Sequence, residues 1–200
     1  MIPFCISIPE TPQRTERAQA HFAERGVAVN FLHYGINAEK FGIQTAHTYE
    51  VDNPGTNFHI GYKPTGIWLS HYMLWNILSF LPDEHFMVVE IDAKLPSDWK
   101  VRVDKAMADV PKDFDMLYIG SCCCQGRPTT HIKGDVFMVQ WPLCTHAYVV
   151  AKKALPMLLS TQRRVYAPID ISLAFHSHPQ LKVFTVLPRI IEQFDTVIPP

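Results

Sequence analysis

In the segment VVEIDAKLPSDW, Val88 to Trp99, an apolar run ends on two carboxylates, Glu90 and Asp92, with a single residue between them. Side chains alternate along a strand, so positions two apart face the same way while Ile91 faces the other. Two carboxylates that close raise each other's pKa unless a positive group lies between them. A hard divalent cation answers that need, because Mg²⁺ and Mn²⁺ take oxygen ligands, commonly one or two carboxylates completed by phosphates and water. The spacing points to a metal-diphosphate site at Glu90 and Asp92, against the plainer reading of two solvated acids at a strand-to-loop turn.

Other residues could join such chemistry. Arg14 and Arg17 lie one helical turn apart and could together face a diphosphate, although a solvated helix face is an equal alternative. Asp170 in APIDIS sits between two isoleucines after a turn proline; partial burial would raise its pKa and suit it to take a hydroxyl proton. Its alternative is a helix cap, and Asp115 or Asp135 stands next in line as a base. Ser70 and His71 occupy an apolar helix, where a histidine more often supports a neighbour than performs chemistry. His146 and Tyr148 alternate on a strand that could border a sugar pocket or pack in the core. Tyr118 reads as core. His176 and His178 lack a partner at metal-ligand spacing and read as a surface turn. Cys122 to Cys124 are consecutive, which suits neither a disulfide framework nor a zinc site, and predicts reduced thiols in a loop.

The elements that must position these residues alternate between strand and helix. IPFCISI alternates as a strand, Thr11 and Pro12 form a helix start, and the helix from about Gln13 to Arg25 ends at Gly26. VAVNFLHY, residues 27 to 34, reads as a second strand. Gly35 to Pro64 is a long loop rich in Asn, Gly, Pro, Thr and His. TGIWLSHYMLWNILSFLPDE predicts a buried helix, and HFMVVEI a central strand covered on both faces. SDWKVRVDKAMADV is an outer helix capped by Ser97, and DMLYIG an inner strand. Ser121 to Trp141 is irregular, with a short hairpin around Gly134. THAYVVAKKALPMLLS passes from strand to helix, PIDISLAF from a turn to a short helix, and LKVFTVLPRII closes with a strand. Neither a repeat nor a low-complexity segment interrupts the pattern. The expected architecture is α/β, a mostly parallel sheet flanked by helices, with residues 1–200 as a single domain. In such sheets ligands bind outside the carboxyl ends of the strands, which is where Glu90 and Asp92 fall.

Two hundred residues at 48% hydrophobic and 18% charged supply one sizeable core. A net charge of -1, with no run of Lys and Arg, argues against nucleic-acid or anionic-membrane partners. The opening MIPFCISIPE lacks a charged n-region and a long h-region, and no stretch approaches the roughly 18 apolar residues of a membrane span. The expected location is cytoplasmic.

Several segments, in order, are similar to one family. ISI with Arg14 and Arg17, GYKPTGIWLSHYMLW with Gly61, Gly66, Ser70, His71 and Trp75, VVEIDAKLPSDW, DMLYIG, THAYVVAKKAL, PIDISL and LPRIIEQFD together resemble glycosyltransferase family 25. That group includes bacterial lipopolysaccharide glycosyltransferases and collagen galactosyltransferases. The resemblance implies a GT-A type nucleotide-diphospho-sugar fold, a sugar-nucleotide donor (a UDP-sugar first), Mn²⁺ or Mg²⁺ at Glu90 and Asp92, and inversion at the anomeric carbon. It also implies a donor site drawing on Arg14, Arg17, Ser70, His71, Glu90 and His146, and a glycan or other hydroxyl acceptor. Where the family usually carries a further acid, this chain has Ile91. The short chain and Ile91 leave a second reading open, a non-catalytic module that binds a sugar nucleotide or a protein. Nucleotidyltransfer ranks behind both, since SIPETPQR lacks the glycine-rich loop that reaction wants.

Overall fold

The computed structural model describes residues 1–7, 12–28, 35–43, 48–50, 57–59, 61–122, 129–165 and 167–194. The first strand, β1 (Phe4–Ile6), leads to helix α1 (Pro12–Glu24), and Gly26 leaves that helix at φ 64°, a left-handed backbone that glycine adopts without strain. The predicted cap Thr11 and most of the predicted second strand, residues 29–34, lie outside the described residues. Within the expected loop, β2 (Thr48–Glu50) and β3 (Asn57–His59) form an antiparallel pair. Helix α2 (Tyr62–Ser79) begins three residues before the predicted start. Pro64 is tolerated there because a first-turn amide has no intrahelical acceptor to lose.

Strand β4 (His85–Glu90) ends on the acid that the sequence singled out, and a turn at Ile91–Asp92 leads into the short β5 (Ala93–Lys94). Helix α3 (Trp99–Asp109) follows; Asp98 rather than Ser97 occupies its cap position, without a side-chain cap bond. Then come β6 (Met116–Gly120) and the hairpin β7 (Thr129–Lys133) and β8 (Val136–Val139), turned by Gly134 at φ 56°. Strand β9 (Ala147–Ala151) continues through a single 3₁₀ turn into α4 (Leu155–Thr161). Helix α5 (Ile169–Ser172) runs on through a π turn (Leu173–Ser177) and a 3₁₀ turn (His178–Gln180), and β10 (Val183–Val186) and β11 (Glu192–Gln193) complete the described chain.

Seven strands make the main sheet in the order β1-β4-β9-β6-β10-β8-β7. Strands β1, β4, β6, β10 and β7 run one way, while β9 and β8 are reversed against their neighbours. The α/β architecture and the prevailing direction match expectation. The insertion of a reversed β9 between β4 and β6 does not follow from the apolar pattern, which is blind to strand direction.

Both faces of the sheet are covered. Met87, Val89, Leu117, Ile119, Ala147 and Val149 face α1 and α3, against Ala18, Phe22, Trp99 and Val103. The alternate positions Phe86, Val88, Met116, Tyr118, Tyr148 and Val150 face α2, α4 and α5, against Trp75, Leu78, Leu155 and Ile169. Leu74 and Leu78 are fully buried in α2. Truncating either to Ala would cost about 2 to 5 kcal/mol through lost transfer energy and the cavity left behind. The same alternation assigns Glu90 to the α2 face, while Ile91 packs with the opposite cluster.

Candidate functional site

The carboxyl ends of β1, β4, β6 and β10 lie along one edge, and because β9 is reversed it delivers its beginning there instead of its end. That is how Glu90, Thr145 and His146 meet, although 55 residues separate the first two. The Glu90 amide donates to the His146 carbonyl at 2.8 Å, closing the ladder at the site.

Glu90 is gripped from behind. Its Oε1 accepts from Thr145 Oγ1 at 2.7 Å and lies 3.2 Å from His71 Nε2. His71 Nδ1 is 3.0 Å from the Tyr148 hydroxyl, which accepts from Trp75 Nε1 at 2.9 Å. Since the Trp75 donor occupies the phenol oxygen, the phenol's own hydrogen goes to His71 Nδ1, and His71 then carries its proton on Nε2, toward Glu90. His71, Trp75 and Tyr148 have no exposed surface. Burial by itself would raise the Glu90 pKa, but the bonds from His71 and Thr145 outweigh it and hold the carboxyl below its usual range. Burial, with the nearby Glu90 charge adding to it, pushes the Tyr148 phenol well up.

Asp92 is in a different state. Oδ2 accepts from Gln193 Nε2 at 3.2 Å, and its backbone carbonyl accepts from the Phe194 amide at 2.8 Å. Oδ1 is buried and has no hydrogen-bond partner among the described residues. Burial first, and Glu90 second, push the Asp92 carboxyl up to about 6, with Arg14 pulling the other way. Cys5, fully buried on β1, has its thiol pushed up to about 12, chiefly by burial and then by Glu90 and Asp92.

An open cleft of about 240 Å³ lies over this edge, lined by Lys63, Ile67, Glu90, Thr145, Asp170 and Gln193 together with Cys144 and neighbouring prolines. Asp170 is in the first turn of α5, not at its cap. Its Oδ2 accepts from the Cys144 amide at 3.0 Å and its Oδ1 from the Ile171 amide at 2.9 Å. The buried Gln162 ties α4 to α5, accepting from Ser172 Oγ at 2.6 Å and donating to Ser177 Oγ at 2.9 Å, which fixes the short helix that carries Asp170.

Of the residues expected at the site, Glu90 and Asp170 line one cleft. Asp92 does not line it; strand alternation stops at Glu90, and Asp92 is reached through Gln193. Arg14 is close enough to Asp92 to act on its charge, and Arg17 stacks over the Phe194 ring at 4.4 Å. Ser70 does not reach the cleft: fully buried, it donates to the Gly66 carbonyl at 2.6 Å and accepts from the Ile36 amide at 2.8 Å, bracing α2. His146 lies beneath the cleft, its Nε2 on the Ile191 carbonyl at 3.1 Å, and burial lowers its pKa. The reserve acids are elsewhere. Asp115 precedes β6 at the opposite edge and pairs with Lys153, and Asp135 pairs with Lys105 in the hairpin turn.

Two further expectations change. Cys122 and Cys144 form a disulfide with a Cα–Cα distance of 5.6 Å, so these are not both free thiols, while Cys123 and Cys124 lie outside the described residues. His178 is no surface residue but is buried, 3.0 Å from the Tyr118 hydroxyl, with its pKa lowered to about 3 by burial. Lys63, Thr145 and Gln193 were not singled out from the sequence. Lys63 was open to notice as a cation in the GYKP segment, whereas Thr145 and Gln193 gain their role only from contacts far apart in the chain.

The fold, a seven-stranded sheet covered by helices on both faces, is of the GT-A type. Among solved structures, a glycosyltransferase involved in glycosylation of the major capsid of PBCV-1 superposes with a TM-score of 0.53, at 10% identity, over 98% of this chain and 94% of that one. Apo UDP-glucose pyrophosphorylase gives 0.51 at 11% identity, over 97% and 92%. No protein-family model matches the chain. Curated proteins named glycosyltransferase 25 family members match most of this chain. The chain is 24% identical over 191 residues to the human inactive glycosyltransferase 25 family member 3, covering 88% of this chain and 32% of that protein. It is 22% identical over 194 residues to an Aedes aegypti glycosyltransferase 25 family member, covering 88% and 31%. The chain therefore spans about a third of the length of the curated relatives it matches.

Proposed function

We propose that residues 1–200 act as one domain that moves a hexose from a nucleotide-diphospho-sugar, a UDP-sugar first, to a hydroxyl of a glycan or other acceptor, with inversion. The observation that carries this reading is the meeting of Glu90 and Asp170 in one cleft at the carboxyl edge, with Asp92 directly behind. Asp92 also supplies the test of fit for a divalent cation. A buried carboxylate oxygen without a donor among the described residues, beside a second carboxylate that raises its pKa, is one that a cation would stabilise beyond what Arg14 supplies. Mn²⁺ or Mg²⁺ held by Glu90 and Asp92 would supply that charge and offset the charge on a leaving diphosphate.

The chain's own residues divide the remaining work. His71 and Thr145 hold Glu90 ionised and aimed, so its orientation costs little when the donor binds. Arg14, Arg17 and Lys63 are the cations available to diphosphate oxygens. Asp170, oriented by the Cys144 amide, takes the proton of the acceptor hydroxyl as that oxygen attacks the anomeric carbon and the nucleoside diphosphate leaves. Among the described residues no helix is long and apolar enough to cross a membrane.

Two observations favour a second reading, a non-catalytic module that binds a sugar nucleotide. The human and bovine relatives carry "inactive" in their names, and Ile91 stands where the family usually has an acid. Nucleotide sugars incubated with Mn²⁺ separate the two, because many transferases slowly pass the sugar to water. Release of nucleoside diphosphate that disappears in Glu90→Gln supports transfer. Tight donor binding without any release supports the binding module.

A further inference from the structure

A second constellation lies under the same edge, built on His146, which the family resemblance assigned to the donor site, and on two cysteine sulfurs that the transfer reading leaves unused. Cys122 leaves β6, while Cys144 and His146 lead into β9, and the pairing of Gly120 with Ala147 draws the two segments together. One ligand atom from each of Cys122, Cys144 and His146 falls within 4.8 Å of the others. His146 has no exposed surface. Its Nε2 donates to the Ile191 carbonyl, the kind of backbone bond that fixes the tautomer of a metal-binding imidazole. That leaves Nδ1 a bare lone pair, buried and without a partner among the described residues. A buried acceptor with nothing to accept from is costly, and coordination of a cation would relieve it. Cys144 also lines the cleft, so one side of the cluster opens toward solvent and substrate.

We propose that, once the disulfide is reduced, Cys122, Cys144 and His146 form a site for a thiolate-seeking divalent cation, Zn²⁺, whose fourth position opens to the cleft. Two thiolates and an imidazole suit zinc, and three protein ligands with one open position is the arrangement of catalytic rather than structural zinc. Reduction by a cellular dithiol breaks the S–S bond. Each sulfur gains one electron and one proton, and the dithiol is oxidised to its own disulfide. Binding the cation then releases the two thiol protons. The freed sulfurs can part to the roughly 3.8 Å that Zn–S bonds of about 2.3 Å require in a tetrahedral ion, which stays inside the 4.8 Å cluster. In a reducing compartment such a cysteine pair serves metal binding more often than a lasting disulfide. The site stands apart from the glycosyl-transfer reading, which uses neither sulfur and, of Cys144, only the backbone amide that holds Asp170.

The test uses the full chain, reduced with a phosphine and freed of metal, and titrated with Co²⁺ and then Zn²⁺. The expected result is one cobalt per chain, with thiolate-to-cobalt charge-transfer absorption that Zn²⁺ bleaches, and no such band in the oxidised protein. Cys144→Ser should weaken binding at least about a hundredfold, the upper range for losing mere outer-shell support. His146→Ala removes a buried ring, so Cys122→Ser serves as the second ligand variant should that protein fail to fold. The neighbouring thiols provide the control, and the double change Cys123→Ser with Cys124→Ser should leave binding intact. Equal binding by oxidised and reduced protein, undiminished binding in Cys144→Ser and Cys122→Ser, or loss confined to the Cys123 and Cys124 variant would each overturn the proposal.

Discussion

Replacing Asp92 with Asn removes a carboxylate that the fold holds at a cost. The Asp92 carboxyl is pushed up to about 6 from 3.8, first by burial and then by Glu90. The folded state binds this proton more tightly than the unfolded chain does. The stability linked to Asp92 is therefore fully present below about pH 4 and is lost as pH rises through about 6. About two units correspond to about 3 kcal/mol, which partial solvent screening reduces to about 2. Asn keeps the shape and can still accept from Gln193. Urea unfolding without divalent ions should find Asp92→Asn more stable than the parent by about 2 kcal/mol near neutral pH, shrinking to about 0.5 kcal/mol near pH 4. Adding Mn²⁺ should reverse the order, because only the parent keeps both carboxylates and gains binding energy in the folded state. A variant less stable than the parent without metal, or a difference that ignores pH, would refute the reasoning.

Asp170→Asn should lower turnover by about a hundredfold to ten-thousandfold with donor affinity nearly unchanged, while stability falls by about 1 to 3 kcal/mol because Asn keeps a single acceptor oxygen for the Cys144 and Ile171 amides; full activity removes Asp170 from the mechanism. Tyr148→Phe strands both the Trp75 N–H and His71 Nδ1 and should cost about 1 to 3 kcal/mol in urea unfolding; an unchanged midpoint would mean the network carries no stability. Gly120→Ala should destabilise by about 1 to 3 kcal/mol or more, because a Cβ there would run into the His146 ring and lie 2.7 Å from the Ile191 carbonyl oxygen; a melting temperature equal to the parent's would show that this edge can give way.

Local pattern carried much of the fold. The runs 85–91 and 115–120 read as inner strands because both faces are covered, and Gly26 and Gly134 marked turns that do require positive φ. Glu90 was legible because an apolar strand has no local reason to end on an acid. What was not legible depends on neighbours distant in sequence. His71, Trp75 and Tyr148 form a unit across 73 to 77 residues, and nothing in either segment announces it. The direction of β9, which brings Thr145 and His146 to Glu90, is invisible to periodicity. Asp92 departed from the expected geometry because a turn replaces the strand one residue after Glu90, so the two-residue alternation has nothing to act on. Cys122 and Cys144 pair across 22 residues, and the adjacent cysteines masked that pairing in the sequence.

The central claim is that a nucleotide sugar binds at the Glu90 edge through a shared divalent cation. Calorimetric titration of the disulfide-bonded protein with UDP-hexoses, with Mn²⁺ and after chelation, tests it most directly, with Glu90→Gln measured alongside. The account predicts at least about tenfold weaker binding after chelation, a difference of about 1.4 kcal/mol, and no metal dependence in Glu90→Gln. Equal affinity with and without the ion, or metal-dependent binding that survives Glu90→Gln unchanged, would contradict it.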